Sequence, residues 1–432
     1  MKKSLLRAGG SAFSRLMLVT AASMTIVLTA CGGNSAGTSS PAANPISAVA
    51  ATATTAPAAP TSAVATATKE APTAAATSTV ATSDSPTVSV AAAPTTASAT
   101  ASPITVATTA AVTQTKLTGS PVPLVVYSAQ GYDDVATKAF QKATGIPTKL
   151  VDDSTGPLLA RIQAEKNNPQ WGLVWVDGDE AFASLDQQGM LLKGYEPGAK
   201  WTDEARSIIP KDESYVPTGL TMAGAVVYDT RYVSNPPTNW QDLLKPEWKG
   251  LVGMNNPAIS GPTFPFVAGM MEYLGGEAQG KDYFTKLKAN GLHVFKTNDD
   301  TLHALETGQI KVAMIQSSAG IGAGIKTPTI KVAFLPKESL LPSAIGIDAR
   351  APAQEQTEAK MFAEWVLSPA GQEVMLGGDK TGDSLFWPAV SGIQPLNGVP
   401  SIQDVPSQVL DPYVWGAKEN EINQWFSQNI AQ

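Results

Sequence analysis

Four short runs in this chain combine small hydroxyl side chains with glycine or alanine: Ser128-Ala129-Gln130, Ser154-Thr155-Gly156, Ser260-Gly261-Pro262-Thr263 and Ser317-Ser318-Ala319-Gly320. Each follows an apolar, strand-like stretch and precedes a helical pattern. Hydroxyls and free backbone N–H groups at the positive end of a helix form a cradle suited to an anion. Ser and Thr are also the commonest N-caps, and a cap binds only its own helix. Both readings stand for any one loop, while four such loops converging in one fold point to a ligand. The residues expected to line a binding site are Ser128, Ala129, Gln130, Ser154, Thr155, Gly156, Asp177, Ser260, Gly261, Thr263, Ser317 and Ser318. Asp152, Asp153 or Asp177 would pair with a ligand amine or remain solvated.

Other chemistry is poorly served. From residue 121 onward no G-x-S-x-G, S-x-x-K, H-E-x-x-H or Walker motif appears, so a hydrolase would lack its nucleophile, metal cluster or phosphate loop. The acidic pairs Asp133-Asp134 and Asp299-Asp300 stand at helix starts, where they complement the dipole. His293 and His303 lack companions at metal-ligand spacing, so no metal site is expected. Gly320-Ile321-Gly322-Ala323-Gly324 lacks the final glycine spacing and downstream acid of a dinucleotide fingerprint. The expectation is therefore a protein that is not an enzyme and holds no cofactor. A formal net charge of −7, with both signs scattered, gives no basic stripe for nucleic acid.

The elements that must position these loops alternate. Residues 124–128, 148–151 and 173–176 read as strands, followed by helices at 133–144, from Pro157, and from Asp179 to Gly189. A second block places strands at 223–228, 251–254 and 312–315, with helices at 264–274 and 301–306. Strand, loop and helix repeated at this spacing signify parallel sheets with crossover helices, and two blocks suggest two α/β lobes. Trp240 and Trp248 read as packing residues of the second lobe; Trp175 sits either in the cleft or in the core.

The first third of the chain is different. Lys2, Lys3, Arg7 and Arg15 precede an apolar core at 16–28, a secretory signal pattern. The single cysteine, Cys31, directly follows Leu28-Thr29-Ala30 and resembles the lipidated cysteine of the bacterial lipoprotein lipobox. Residues 32–120 are almost wholly Ala, Thr, Ser, Pro and Val, with Lys69, Glu70, Asp84 and Lys116 the only charges. Such a segment buries too little to offset ordering entropy and is expected to be a disordered tether. No second apolar run reaches the ~18 residues that span a bilayer.

The run Pro237-Thr238-Asn239-Trp240-Gln241-Asp242-Leu243-Leu244-Lys245-Pro246-Glu247-Trp248-Lys249-Gly250 resembles a block of ABC-transporter extracellular solute-binding proteins. It is most similar to the branch of ferric-ion, aminoethylphosphonate and sugar-phosphate binders. Val126-Tyr127-Ser128-Ala129, Asn256-Pro257-Ala258 with Ser260-Gly261, and the helix from Glu358 to Ser368 match in the same order. The resemblance implies an α/β, two-lobed periplasmic-binding-protein fold (type II-like) behind a signal peptide and a disordered linker. Its expected boundaries are signal peptide 1–30, tether 31–120, lobe I 121–222 with a return at 338–378, and lobe II 223–337 with a return at 379–432. Its expected role is a monomeric, lipid-anchored solute carrier on the outer face of the cytoplasmic membrane. It would deliver a small anionic solute, phosphonate or phosphorylated, to an ABC permease driven by its ATPase. Ferric-binding relatives place adjacent tyrosines where this chain holds Ser317, Ser318 and Ala319. Protonated hydroxyls serve Fe(III) poorly, so a ferric ion or ferric chelate is the alternative ligand. An exported hydrolase is a minor alternative.

Overall fold

The computed structural model describes residues 119–432. The signal peptide, Cys31 and all of the expected tether up to residue 118 lie outside the described residues.

The chain begins with three βα units: β1 (Leu124–Ser128), α1 (Asp133–Thr144), β2 (Thr148–Asp152), α2 (Thr155–Ala164), β3 (Leu173–Asp177) and α3 (Asp179–Gln187). β1 runs parallel to both β2 and β3, an arrangement that needs crossover helices. α1 ends where the sequence placed its stop, at Gly145 with φ 76° and its N–H on Gln141 O. After α4 (Asp203–Ile208), β4 (Tyr215–Met222) leads out of this sheet into β5 (Ala225–Asp229) of another.

That second sheet grows through β6 (Val252–Asn255), α5 (Thr263–Tyr273), α6 (Glu277–Ala289), β7 (His293–Phe295), α7 (Asn298–Glu306), β8 (Val312–Ile315), α8 (Ser317–Lys326) and β9 (Ile330–Ala333). The return is β10 (Glu338–Ile347), followed by α9 (Ala353–Val366), α10 (Pro369–Gly378), β11 (Trp387–Pro388), β12 (Ser407–Gln408), α11 (Pro412–Gly416) and α12 (Glu419–Asn429). The first sheet has the order β11-β4-β10-β3-β1-β2, with β12 on β10; the second is β7-β6-β8-β5-β9. Each is packed by its own apolar clusters: Tyr127, Val174, Phe182 and Ala344 with neighbours in one, Trp240, Met254, Phe266 and Phe284 in the other. The fold is α/β and two-lobed.

Two expectations are corrected. The strand read at 223–228 is β5 alone, and the eight buried residues of β4 before it were not anticipated. The return at 379–432 does not belong wholly to the second lobe, because β11 pairs with β4 and Val405 belongs to the first lobe's apolar cluster with Tyr127 and Leu220. Beyond Val405 the return supplies the second core, with Leu410, Trp415, Ile422, Phe426 and Ile430 buried in it and Trp425 and Ala431 packed against it. Three crossings therefore lie side by side: Ala223 N donates to Ser339 O at 2.9 Å, and Ser407 and Gln408 pair with Glu338 and Ser339.

Trp175 is core, packed against Tyr132 and Phe362, with its indole N–H on Thr218 Oγ1 at 3.0 Å. Trp240 and Trp248 pack in the second lobe. The glycines from Gly320 belong to α8, and a Cβ on Gly320 would stand 2.4 Å from Val227 Cγ2, so that glycine serves close helix–sheet packing. Among the described residues no helix is long and apolar enough to cross a membrane.

Candidate functional site

The loops that follow β1, β2 and β3 face those that follow β6 and β8 across a cleft, where carboxyl ends of strands gather ligands in open α/β sheets. A backbone hydrogen bond spans the cleft between the lobes. Gly156 N donates to Ile259 O at 3.1 Å, and a Cβ on Gly156 would lie 2.2 Å from Ala258 O. Likewise a Cβ on Gly261 would lie 2.3 Å from Thr155 Oγ1, so only glycine permits this approach at either position. Two chambers open beside the bridge, of about 500 and 590 Å³. Thr155, Asp177 and Gly261 line both.

The smaller chamber collects Ala129, Ser154, Thr155, Asp177, Ser260 and Gly261 from the predicted set. Gly156 faces the larger one. Ser128, Gln130, Thr263, Ser317 and Ser318 are buried and absent from the linings of both. Ser317 Oγ instead accepts from Met222 N at 3.0 Å, tying α8 to the end of β4. Asp152 and Asp153 are exposed.

Ser154 stands at the N-cap of α2 yet makes no cap hydrogen bond, and the starts of α5 and α8 (Pro262 and Gln316) also lack side-chain caps. By contrast Thr202, Thr297 and Ser368 cap α4, α7 and α10 through their hydroxyls. No side-chain cap therefore consumes the N–H groups of the α2, α5 and α8 termini, although Gly156 N is taken by Ile259 O, Thr263 N by Ser260 O, and Pro157 and Pro265 carry none.

Behind this wall runs a polar network that joins the lobes. Asp177 Oδ1 accepts from Gln130 Nε2 at 2.9 Å and from Ser343 Oγ at 2.6 Å, while Oδ2 accepts from Gln316 Nε2 at 3.3 Å. Gln130 Oε1 in turn accepts from Tyr132 OH at 2.8 Å. In the second lobe Asn298 Nδ2 approaches Gln316 Oε1 at 3.4 Å, and Asn255 Nδ2 donates to Asn298 Oδ1 at 2.7 Å and to Ser260 Oγ at 3.2 Å. Burial raises the Asp177 carboxyl above its ordinary range, although the three donors favour its ionised form.

Residues without a local sequence signal complete the smaller chamber. Asp379, Thr381 and Asp383 come from the loop after α10, and Asp299, His303, Glu306 and Lys326 come from α7 and α8. Gly131 N donates to Asp383 Oδ2 and Asp383 N to Asp379 Oδ2, both at 2.8 Å. Burial, and then the charge of Asp177, push Asp383 up to about 7. The lining is more acidic than four hydroxyl loops would suggest. Among the described residues no group of three or more His, Cys, Asp or Glu is placed to hold a metal ion.

Known proteins fit this architecture. A relative from Salmonella typhimurium described as "Putative 2-aminoethylphosphonate-binding periplasmic protein" is 24% identical over 263 residues, covering 58% of this chain and 75% of the relative. The "Fe(3+)-binding periplasmic protein" of Serratia marcescens is 24% identical over 279 residues, with coverage of 58% and 75%. The periplasmic binding protein AfuA of Actinobacillus pleuropneumoniae, solved with fructose-6-phosphate, superposes with a TM-score of 0.63 at 18% identity. That superposition covers 71% of this chain and 98% of AfuA, and shows the two-lobed fold. The family model described as "Bacterial extracellular solute-binding protein" matches residues 135–404, and the chain belongs to that family.

Proposed function

We propose that this protein is the lipid-anchored solute-binding component of an ABC importer, and that its smaller chamber takes a small phosphonate or phosphorylated solute carrying an amine. The observation that carries this reading is the pairing, in one 500 Å³ space, of uncapped α2 and α5 termini with the Asp379–Asp383 carboxylates. Ser154, Thr155, Ser260 and backbone N–H groups would meet the anionic group, and the loop carboxylates the ammonium. Both lobes bind one solute, so the closed form is stabilised by differential affinity. The description of the Salmonella relative supports an aminophosphonate, and Cys31 supplies the anchor. Lobe I is assigned to 121–222 and about 338–405, lobe II to 223–337 and about 410–432, and the carrier acts as a monomer that turns nothing over.

The test is thermal melting of the full chain with 2-aminoethylphosphonate, fructose-6-phosphate, thiamine and ferric citrate. The expected result is a rise with the aminophosphonate at millimolar concentration or below, because binding to the native state raises the midpoint by mass action. A rise with ferric citrate alone would replace this reading with the ferric one.

A further inference from the structure

The larger chamber differs in kind from the smaller. No Lys or Arg lines it, while the carboxylates of Asp177, Glu180 and Glu419 do. Glu180 is only 2% exposed, and its Oε2 has no hydrogen-bond partner. Its position in the first turn of α3 accounts for the sign of the charge but not for its burial. The carboxylate sits beside Gly178 and near Pro265 of the other lobe: a Cβ on Gly178 would lie 3.4 Å from Glu180 Oε2 and 3.0 Å from Pro265 Cγ. Asn423 Oδ1, on α12, is likewise buried without a partner. Two acceptors behind the wall of a space with no cation of its own thus lack a donor, Glu180 beside the further carboxyl of Asp179, and a buried acceptor left unpaired is costly.

We propose that this chamber is a second binding site, for a small aliphatic ammonium compound. Its N–H groups satisfy Glu180 Oε2 and Asn423 Oδ1, and Glu419 balances further positive charge. Leu159, Ala181, Leu185, Phe264 and Pro265 provide an apolar wall for methylene groups. A bare metal ion is a poor match, since no three carboxylates among the described residues are placed to share one. An anion would meet three carboxylates and no counter-charge. The chamber volume of about 590 Å³ accommodates a diamine. This site is independent of the solute reading, since it uses α3 and α12 and needs neither Ser154 nor Ser260.

The test is calorimetric titration of the full chain with 1,4-diaminobutane and with propylammonium at about pH 8. That lies above the value of about 7 to which burial raises Glu419. Glu180, which burial and then the charge of Asp179 raise well above the ordinary range, releases its proton as the amine binds. Saturable binding of diaminobutane is expected, weakened at least about tenfold by Glu180→Gln and by Glu419→Gln. Glu419 lies on a different helix, so Glu419→Gln decides the matter if Glu180→Gln fails to fold. Absence of saturable binding by both amines overturns the proposal. So does binding that survives Glu419→Gln but is lost in Asp383→Asn, which would place the amine in the smaller chamber. Aminophosphonate binding is read separately, so each proposal fails on its own measurement.

Discussion

The two chambers share Thr155, Asp177 and Gly261 and are separated by a backbone bridge, yet their chemistry diverges. The smaller is bounded by helix starts without side-chain caps, set against a carboxylate loop. The larger is bounded by acids and amides with nothing positive among them. The difference comes from the parts of the chain that return last. The loop after α10 supplies Asp379 and Asp383 to one chamber, and α12 supplies Glu419 and Asn423 to the other. The βα units make a generic cleft, and these late segments give each half its character.

The bridge is the strongest handle on this contrast. Gly156→Ala puts a methyl 2.2 Å from Ala258 O and is expected to prevent full closure. Solute affinity should fall at least about a hundredfold, some 3 kcal/mol, while the melting point of the ligand-free protein stays unchanged or rises, because alanine suits a helix better than glycine. Titration and solution scattering check both; unchanged ligand-induced compaction would show that the bridge does not govern closure.

Asp177→Asn comes next, because it affects both chambers. The asparagine keeps one acceptor oxygen for the work now done by two, leaving Gln130 or Gln316 without its partner. A loss of about 1–3 kcal/mol in stability is expected by denaturant unfolding, with weaker binding in both chambers.

The acid clusters predict a pH effect on the ligand-free protein. Burial raises Asp179, Asp383 and Glu419 to about 7 and Glu338 to about 8, against about 4 when unfolded. The folded state therefore holds protons that the unfolded state has released, and stability present below about pH 4 is lost as pH rises toward 7–8. Asp212, Asp229 and Glu277, whose carboxyls are lowered by Lys193, Arg231 and Lys281, work in the opposite sense but titrate below that window. A melting point lower at about pH 8 than at about pH 5 is expected, and a flat profile would show that these acids are better solvated than their burial implies.

The smallest effect concerns the caps. Thr202→Ala should cost about 1 kcal/mol, since its hydroxyl accepts from Ala205 N. Ser154→Ala should cost less than about 0.5 kcal/mol of stability, because that hydroxyl caps nothing, yet should weaken solute binding. Equal stability losses in the two variants would make Ser154 an ordinary cap.

Local rules made much of this readable. α1 with Gly145 and β8 follow from period, caps and punctuation. The strands that join the lobes did not. β4 contains Pro217 and Gly219 and β10 contains Pro342 and Gly346, residues that ordinarily demote a strand, and tertiary pairing overrides them. At the site, Ser154, Thr155, Ser260 and Gly261 were legible because each loop has a local pattern. Asp379, Asp383 and Glu419 were not, since only the long return brings them to the cleft. Glu180 looked like any acid at a helix start, and only its burial with an unpartnered oxygen sets it apart.

The placement of β10 between β3 and β4 has a consequence for how the chain is completed. The second sheet is one continuous stretch, residues 225–333, and all its pairing partners are present once β9 has emerged. The first sheet starts earlier, at Leu124, but its central strand begins only at Glu338, its edge strand β11 at Trp387 and its last strand β12 at Ser407. Until then β3 and β4 have no bridge between them, and contacts of such long sequence separation form slowly. The lobe that is begun first is therefore finished last, and the cleft exists only after nearly the whole chain has left the ribosome.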